Sequence, residues 1–288
     1  MNKIGIHYGY WIHAWDVDDI HPYMDKAARL GFDILEISPG VLAPLSSMQR
    51  KEIKARAQDS NLALTCCYSL SPRYDLASPD RQIRADGIAH LRQLVQAVAD
   101  AGGNILGGIL YGAWQTTMPE GESDKWPYVE RSIACMKEVA KFAEDQRVIL
   151  CMEAVNRFEQ FILNTCSEAI AYVDAVGSPN VKIMLDTFHM NIEENFLGDA
   201  ILRAGSSLGH FHVGENNRMP PGYGHIPWTE VGSALRKIEY QGSIVMEPFL
   251  MPGGQVGREI KVFRDLSQGL DLDAEARKAL LFTRGLLK

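Results

Sequence analysis

The sequence predicts an α/β fold, a (β/α)8 TIM barrel, on three observations. Short apolar runs alternate with helix-patterned stretches along all 288 residues, a length that suits one large barrel. Eight such runs can be counted. The last four each carry a residue able to bind a metal at their last position or, in the third, one before it: Val148-Ile149-Leu150-Cys151-Met152-Glu153, Val181-Lys182-Ile183-Met184-Leu185-Asp186, Leu208-Gly209-His210-Phe211-His212-Val213 and Ser243-Ile244-Val245-Met246-Glu247. Polar ligands at the C-terminal ends of successive parallel strands mark the active face of such a barrel. A doubly wound open sheet has the same alternation, but it gathers its site at one switch point, so recurring polar strand ends favour the barrel.

Taken in order, the first-half strands fall near Ile4–Tyr8, Phe32–Ile37, Leu62–Tyr68 and Ile105–Tyr111. Helical stretches lie near Asp18–Leu30, Ser47–Ser60, Pro79–Ala101 and Pro127–Asp145, and later near Ser167–Val176, Leu197–Ala204 and Thr229–Ile238. Ser78-Pro79-Asp80 reads as a cap followed by Pro at the first helical position. Gly31, Gly102 and Gly177 sit where helix C-caps belong. No Ser/Gly-rich linker divides the chain, so 1–288 is expected to be a single domain, with Gln255–Lys288 forming extra C-terminal helices on the barrel wall.

Hydrophobic residues make up 46% and charged residues 23%, the ordinary globular range. The net charge of -7 argues against a nucleic-acid footprint, which needs a basic stripe. The five cysteines (Cys66, Cys67, Cys135, Cys151 and Cys166) are odd in number and show no CxxC spacing, so reduced thiols are expected rather than a disulfide framework or zinc ribbon. Met1 leads straight into a strand-like segment, and no apolar stretch is long enough to span a bilayer. A cytoplasmic location without membrane partners is the resulting expectation.

Because side chains alternate along a strand, Glu153 should share the barrel interior with Cys151 and Ile149, Asp186 with Met184, His212 with His210, and Glu247 with Val245. The four candidate ligands can therefore converge. An acid at a strand end can also cap the next helix, and a lone His can be a hydrogen-bonded core residue. Four coincidences on consecutive strands favour the metal. Three carboxylates and one imidazole suit Mn²⁺, Co²⁺ or Mg²⁺ better than a thiolate-seeking ion.

Polar residues follow the ligands closely: Asn156, Arg157 and Glu159; Thr187, His189 and Asn191; Glu215, Asn216, Asn217 and Arg218. They are expected on loops above the barrel, where substrate is held, and Glu159, His189 and Arg218 stand out because each is tethered to a ligand strand. Aromatics are dense near the other strand ends: Tyr8, Tyr10, Trp11, Trp15, Tyr68, Tyr111 and Trp114. Aromatic faces beside polar groups suit a sugar, though simple core filling uses the same residues. Pro252-Gly253-Gly254-Gln255-Val256-Gly257 opens a helix after the last strand, where barrels often bind phosphate, with Arg258 as the nearby cation.

At these residues the chain resembles the ketose 3-epimerases, the D-tagatose 3-epimerase and D-psicose (D-allulose) 3-epimerase family. The matching motifs are Glu153-Ala154-Val155-Asn156-Arg157-Phe158-Glu159, Leu185-Asp186-Thr187-Phe188-His189-Met190-Asn191-Ile192-Glu193-Glu194, Gly209-His210-Phe211-His212-Val213-Gly214-Glu215 and Val245-Met246-Glu247-Pro248-Phe249. Tyr10-Trp11 and Gly31-Phe32-Asp33 also fit. The resemblance covers essentially the whole chain. It implies a (β/α)8 barrel with a Mn²⁺ or Co²⁺ site held by Glu153, Asp186, His212 and Glu247. It makes Glu153 and Glu247 the acid/base pair and gives Glu159, His189 and Arg218 the substrate's carbonyl end. It also implies unphosphorylated ketoses and a homodimer or homotetramer. The family pattern has Phe or Tyr where this chain has His7, near the far end of the sugar. Cys67 and Ile109 belong to the same neighbourhood, and Cys67 looks like the tagatose type. Trp15 and Trp114 complete the expected substrate contacts.

The expected reaction inverts C3 of a 2-ketose, between D-tagatose and D-sorbose or D-fructose and D-psicose, with L-ribulose as a further substrate. Inversion needs a proton to leave one face and another to arrive on the opposite face, so two carboxylates acting through a cis-enediolate meet the need. A metal would supply polarisation of the C2 carbonyl. An aldose–ketose isomerase or a polyol dehydratase could use the same site. A DNA phosphodiesterase would need more clustered histidines and a basic face, and a silent sugar-binding barrel would not need opposed carboxylates.

Overall fold

The computed structural model describes residues 2–287. Eight parallel strands close into a barrel in chain order: β1 (Ile4–His7), β2 (Ile34–Ile37), β3 (Ala63–Leu70), β4 (Ile105–Ala113), β5 (Ile149–Ala154), β6 (Val181–Asp186), β7 (Leu208–Val213) and β8 (Ser243–Met246), with β8 paired back to β1. The helices are α1 (His21–Leu30), α2 (Ser47–Asp59), α3 (Arg81–Asp100), α4 (Trp126–Gln146), α5 (Cys166–Val176), α6 (Thr187–Glu193), α7 (Leu197–Ala204), α8 (Trp228–Lys237), α9 (Gly254–Glu259) and α10 (Leu272–Leu286). The expected TIM barrel is therefore the observed fold. The expected C-terminal helices are α9 and α10, the latter packed on α1, α8 and β1.

Local chemistry sets most boundaries. Ser46 and Gln49 form a capping box at α2, and Thr165 and Glu168 form another at α5. Gly31 (φ 93°) and Gly177 (φ 74°) end α1 and α5 in the left-handed region that a side chain disfavours. The start of α3 differs from expectation. Asp80 is its N-cap, accepting from the Gln82 amide at 2.7 Å, so Pro79 precedes the cap rather than following it. The segment after Asp186, expected as a loop, is the short helix α6. Asp186 ends β6 and caps this helix at once, its Oδ1 accepting from the Phe188 amide at 2.9 Å.

Register aligns the interior. Glu153 lies opposite Met184, Asp186 opposite His212, and His212 opposite Val245, so the inward set of β5 to β8 is the one that alternation requires. Ile105, Cys151 and Met184 pack together in the lumen below the site. Gly107 leaves room for them, since a Cβ there would lie 2.7 Å from Met184 Sδ. The cysteines are free thiols. Among the described residues no helix is long and apolar enough to cross a membrane.

Candidate active site

Glu153 ends β5, Asp186 ends β6, His212 sits near the end of β7, and Glu247 follows β8 by one residue. The Glu247 amide donates to the Val213 carbonyl at 3.1 Å, which continues the sheet pairing through it. Glu153, Asp186 and His212 each offer a ligand atom within 4.8 Å of the others. Glu247 Oε2 stands 3.6 Å from His212 Nδ1 and completes the group. These side chains are almost wholly buried.

The cluster as built calls for positive charge. Burial, reinforced by the Glu247 and Asp186 carboxylates, pushes the Glu153 pKa well above the usual carboxylate range. Burial also works against charge on His212, but Glu36 and Glu247 outweigh it and hold its pKa well above the usual imidazole value. Burial presses the Glu247 carboxyl upward too. His212, His7 and Arg218 overcome that and bring it down to about 2. His212 Nδ1 is buried with no hydrogen-bond partner among the described residues. Carboxylates that repel one another around an unpartnered imidazole nitrogen fit a hard or borderline divalent cation. Glu36, Cys67 and His212 also lie close enough together to hold an ion. We favour the first group because both Glu36 oxygens accept imidazole Nε2–H bonds, at 2.5 and 2.7 Å, and burial holds the Cys67 thiol protonated.

Three side chains close over this group. His189 Nδ1 accepts from the Asn156 backbone amide at 3.2 Å, which places its proton on Nε2. That Nε2 stands 3.7 Å from Glu153 and 3.9 Å from Asp186. Burial lowers the His189 pKa, so the ring is a neutral donor. Arg218 donates from Nη1 to Glu247 at 3.1 Å and to Asp186 at 3.3 Å, with its guanidinium 3.7 Å from the centre of the Phe188 ring. Its backbone is left-handed at φ 63°, a conformation that costs a non-glycine residue on the order of 1–3 kcal/mol. Glu159 accepts from Trp114 Nε1 at 2.8 Å and Asn156 Nδ2 at 3.1 Å. The Arg157 fork on Glu193, at 2.7 and 3.0 Å, ties this loop to α6.

A cavity of about 600 Å³ opens above the cluster. His7, Trp15, Cys67, Ile109, Trp114, Glu153, Glu159, His189, Arg218 and Glu247 all line it, while Asp186 and His212 are buried close beside Glu153. Tyr68 lines it too, whereas several other residues that the sequence singles out do not face it. Tyr8, Tyr10 and Tyr111 are core residues, and Trp11 pairs outward with Asp273. Glu215 organises its own loop by accepting from Trp228 Nε1 and the Gly222 amide, both at 2.7 Å. The glycine-rich start of α9 does not cradle phosphate. The Gln255 and Val256 amides both donate to the His13 carbonyl, at 2.7 and 3.0 Å.

Sequence reasoning missed Glu36 and Glu259. Glu36 is a lone charge inside the apolar β2, a signal in itself, since buried carboxylates are rare unless paired. Glu259 lines the cavity mouth and accepts from Trp15 Nε1 at 2.7 Å, while its carbonyl accepts from Gln115 Nε2 at 2.7 Å. No local pattern marks it.

Comparison with known proteins agrees with this geometry. The family model described as xylose isomerase-like TIM barrel matches residues 24–266. The D-psicose 3-epimerase of Ruminiclostridium cellulolyticum is 46% identical, over 99% of this chain and 98% of that protein. The D-psicose 3-epimerase of Agrobacterium fabrum is 43% identical, over 99% of each. The crystal structure of D-psicose 3-epimerase with D-tagatose from Clostridium cellulolyticum H10 superposes with a TM-score of 0.96, at 46% identity over 99% of both chains. With its barrel closed strand for strand and matched end to end, this chain belongs to the xylose isomerase-like TIM barrel family, where its high-identity relatives are D-psicose 3-epimerases.

Proposed function

We propose that this chain is a ketose 3-epimerase that inverts C3 of free ketoses with the help of a divalent cation. The observation that carries the reading is the pair Glu153 and Glu247, set on β5 and just after β8, three strands apart around the barrel and flanking one buried cluster. Binding alone needs no such opposed pair. D-Fructose/D-psicose and D-tagatose/D-sorbose are the substrate pairs, with L-ribulose as a further substrate. D-psicose and L-ribulose 3-epimerases among the relatives support that range.

Glu153, Asp186, His212 and Glu247 would hold the cation, and their oxygen-rich donor set suits Mn²⁺, Co²⁺ or Mg²⁺. When bound, it would polarise the C2 carbonyl and so acidify the C3 proton. The rest falls to the chain's own groups. One of Glu153 and Glu247 takes the C3 proton from its face of the sugar, and the other delivers a proton to the opposite face. In the reverse direction they exchange tasks. His189 Nε2–H and the Arg218 guanidinium donate to the oxygen on which negative charge grows. Glu159, fixed by Trp114 and Asn156, accepts from the hydroxyl at the carbonyl end. Trp15 and Trp114 offer flat apolar faces to the carbon skeleton, and His7, Cys67 and Ile109 shape the far wall.

The chain would act as a single domain in the cytoplasm, without nucleic-acid or membrane partners. A homodimer or homotetramer is the proposed assembly, as the family resemblance implies. The test is incubation of chelator-stripped and Mn²⁺-restored protein with D-fructose, D-tagatose and L-ribulose, followed by chromatography of the products. C3 epimers formed only in the restored sample are expected. Aldose products would replace this reading with an aldose–ketose isomerase.

A further inference from the structure

Beneath the candidate metal ligands lies a second polar group that the reaction itself does not use. Glu36 projects into the lumen from β2, opposite the β7 histidines. Its Oε1 accepts from His212 Nε2 at 2.5 Å, and its Oε2 accepts from His210 Nε2 at 2.7 Å and from Thr65 Oγ1 at 2.8 Å. Glu36, His210 and His212 have no exposed surface, and Thr65 is nearly as buried. The two imidazole rings stand 5.1 Å apart.

Hydrogen-bond capacity decides what this arrangement does. An ionised carboxylate only accepts, so each Nε2 that meets it must carry the proton. Two N–H groups and one O–H converge on Glu36, which leaves it no reason to hold a proton of its own. A ring bearing its proton on Nε2 presents Nδ1 as a lone pair. His212 Nδ1 is buried, unpartnered and aimed at the carboxylate cluster, 3.6 Å from Glu247. Among the described residues, His210 Nδ1 is also unpartnered, but no carboxylate cluster surrounds it. His210 therefore serves as the second leg that holds Glu36, with Thr65 as the third.

We infer that Glu36 is the positioning residue of the metal site, fixing His212 in the orientation and tautomer that turn Nδ1 toward the cation. This rests on the metal-binding reading above and adds a residue to it that touches neither cation nor sugar. Paired acceptors of this kind fix the ligating ring and raise its basicity. Glu36→Gln is the discriminating change because it keeps the shape. Its amide can accept at one oxygen but must donate at the other position, so the charge is lost and one imidazole must reverse its tautomer.

The experiment has two readouts on the full-length protein. Titration of chelator-stripped protein with Mn²⁺ should show affinity about 10–100-fold weaker in Glu36→Gln than in the wild type. Nitrogen-15 NMR of the Mg²⁺-loaded wild type should place the His212 ring proton on Nε2 with Nδ1 unprotonated. That measurement stands even if the variant does not fold. Wild-type Mn²⁺ affinity in Glu36→Gln, or a His212 proton on Nδ1, overturns the inference while leaving the metal site intact. A wild-type protein that binds no divalent cation overturns the metal reading itself, and this inference with it.

Discussion

Glu153 and Glu247 carry opposite perturbations although both are buried. Burial and two carboxylate neighbours push Glu153 up, while His212, His7 and Arg218 outweigh burial and hold Glu247 at about 2. In the proposed scheme both exchange a proton with C3, so Glu153→Gln and Glu247→Gln should each cut kcat by at least about 10²–10⁴-fold. Steady-state rates that stay near wild type in either variant would remove the two-carboxylate scheme. Arg218 differs in kind. It donates to two of the candidate ligand carboxylates without being a candidate ligand itself, so Arg218→Ala should raise KM and lower kcat/KM more than it weakens metal binding. Paired substrate kinetics and metal titration give the ranking directly. The four ligand candidates were legible because each ends an apolar run. Glu36 was not, because its inward position follows from alternation while its partners lie across the barrel on β7.

Elements place these groups more sharply than residue spacing suggested. Asp186 ends β6 and caps α6 in the same step, which lifts His189 over the cluster on a helix rather than a loop. A run as short as Thr187–Glu193 carries too little periodicity to be read as helix. Conversely, the Gly-rich start of α9 looked like an anion cradle, and only the distant His13 carbonyl shows its amides to be spent. Strand β4 contains a constraint invisible in sequence. Gly108 has φ 108°, and a Cβ there would meet the Tyr68 carbonyl and amide of the neighbouring strand β3. Gly108→Ala should therefore destabilise the fold by on the order of 1–3 kcal/mol, from backbone strain and overpacking together. Denaturant unfolding measures the change. The same substitution at Gly285, where a Cβ meets open space and φ is ordinary, should be close to neutral or stabilising.

Across the whole molecule, the barrel imposes the convergence. Parallel strands in chain order bring residues far apart in sequence, such as Glu36 and His212, into one lumen, and their burial there makes their charges interact strongly. That same burial gives cation binding a pH dependence. A bound cation requires Glu153 ionised and His212 without its Nδ1 proton, and in the metal-free chain both groups are pushed upward toward protonation. Protons therefore compete with the cation, so metal affinity should fall as pH drops through those raised values and level off above them. Calorimetric titration in buffers of different ionisation heat would reveal the protons released on binding. Affinity independent of pH over the mildly acidic to neutral range would contradict this.

The most direct measurement follows the proton itself. Metal-stripped and Mn²⁺-restored protein would be incubated in D₂O with D-fructose and with D-tagatose, and the position of deuterium read by NMR. Deuterium at C3, accompanied by the C3 epimer and dependent on the metal, is the expected result. Deuterium at C1 or C2 with an aldose product, or no exchange at all, would contradict C3 epimerisation by Glu153 and Glu247.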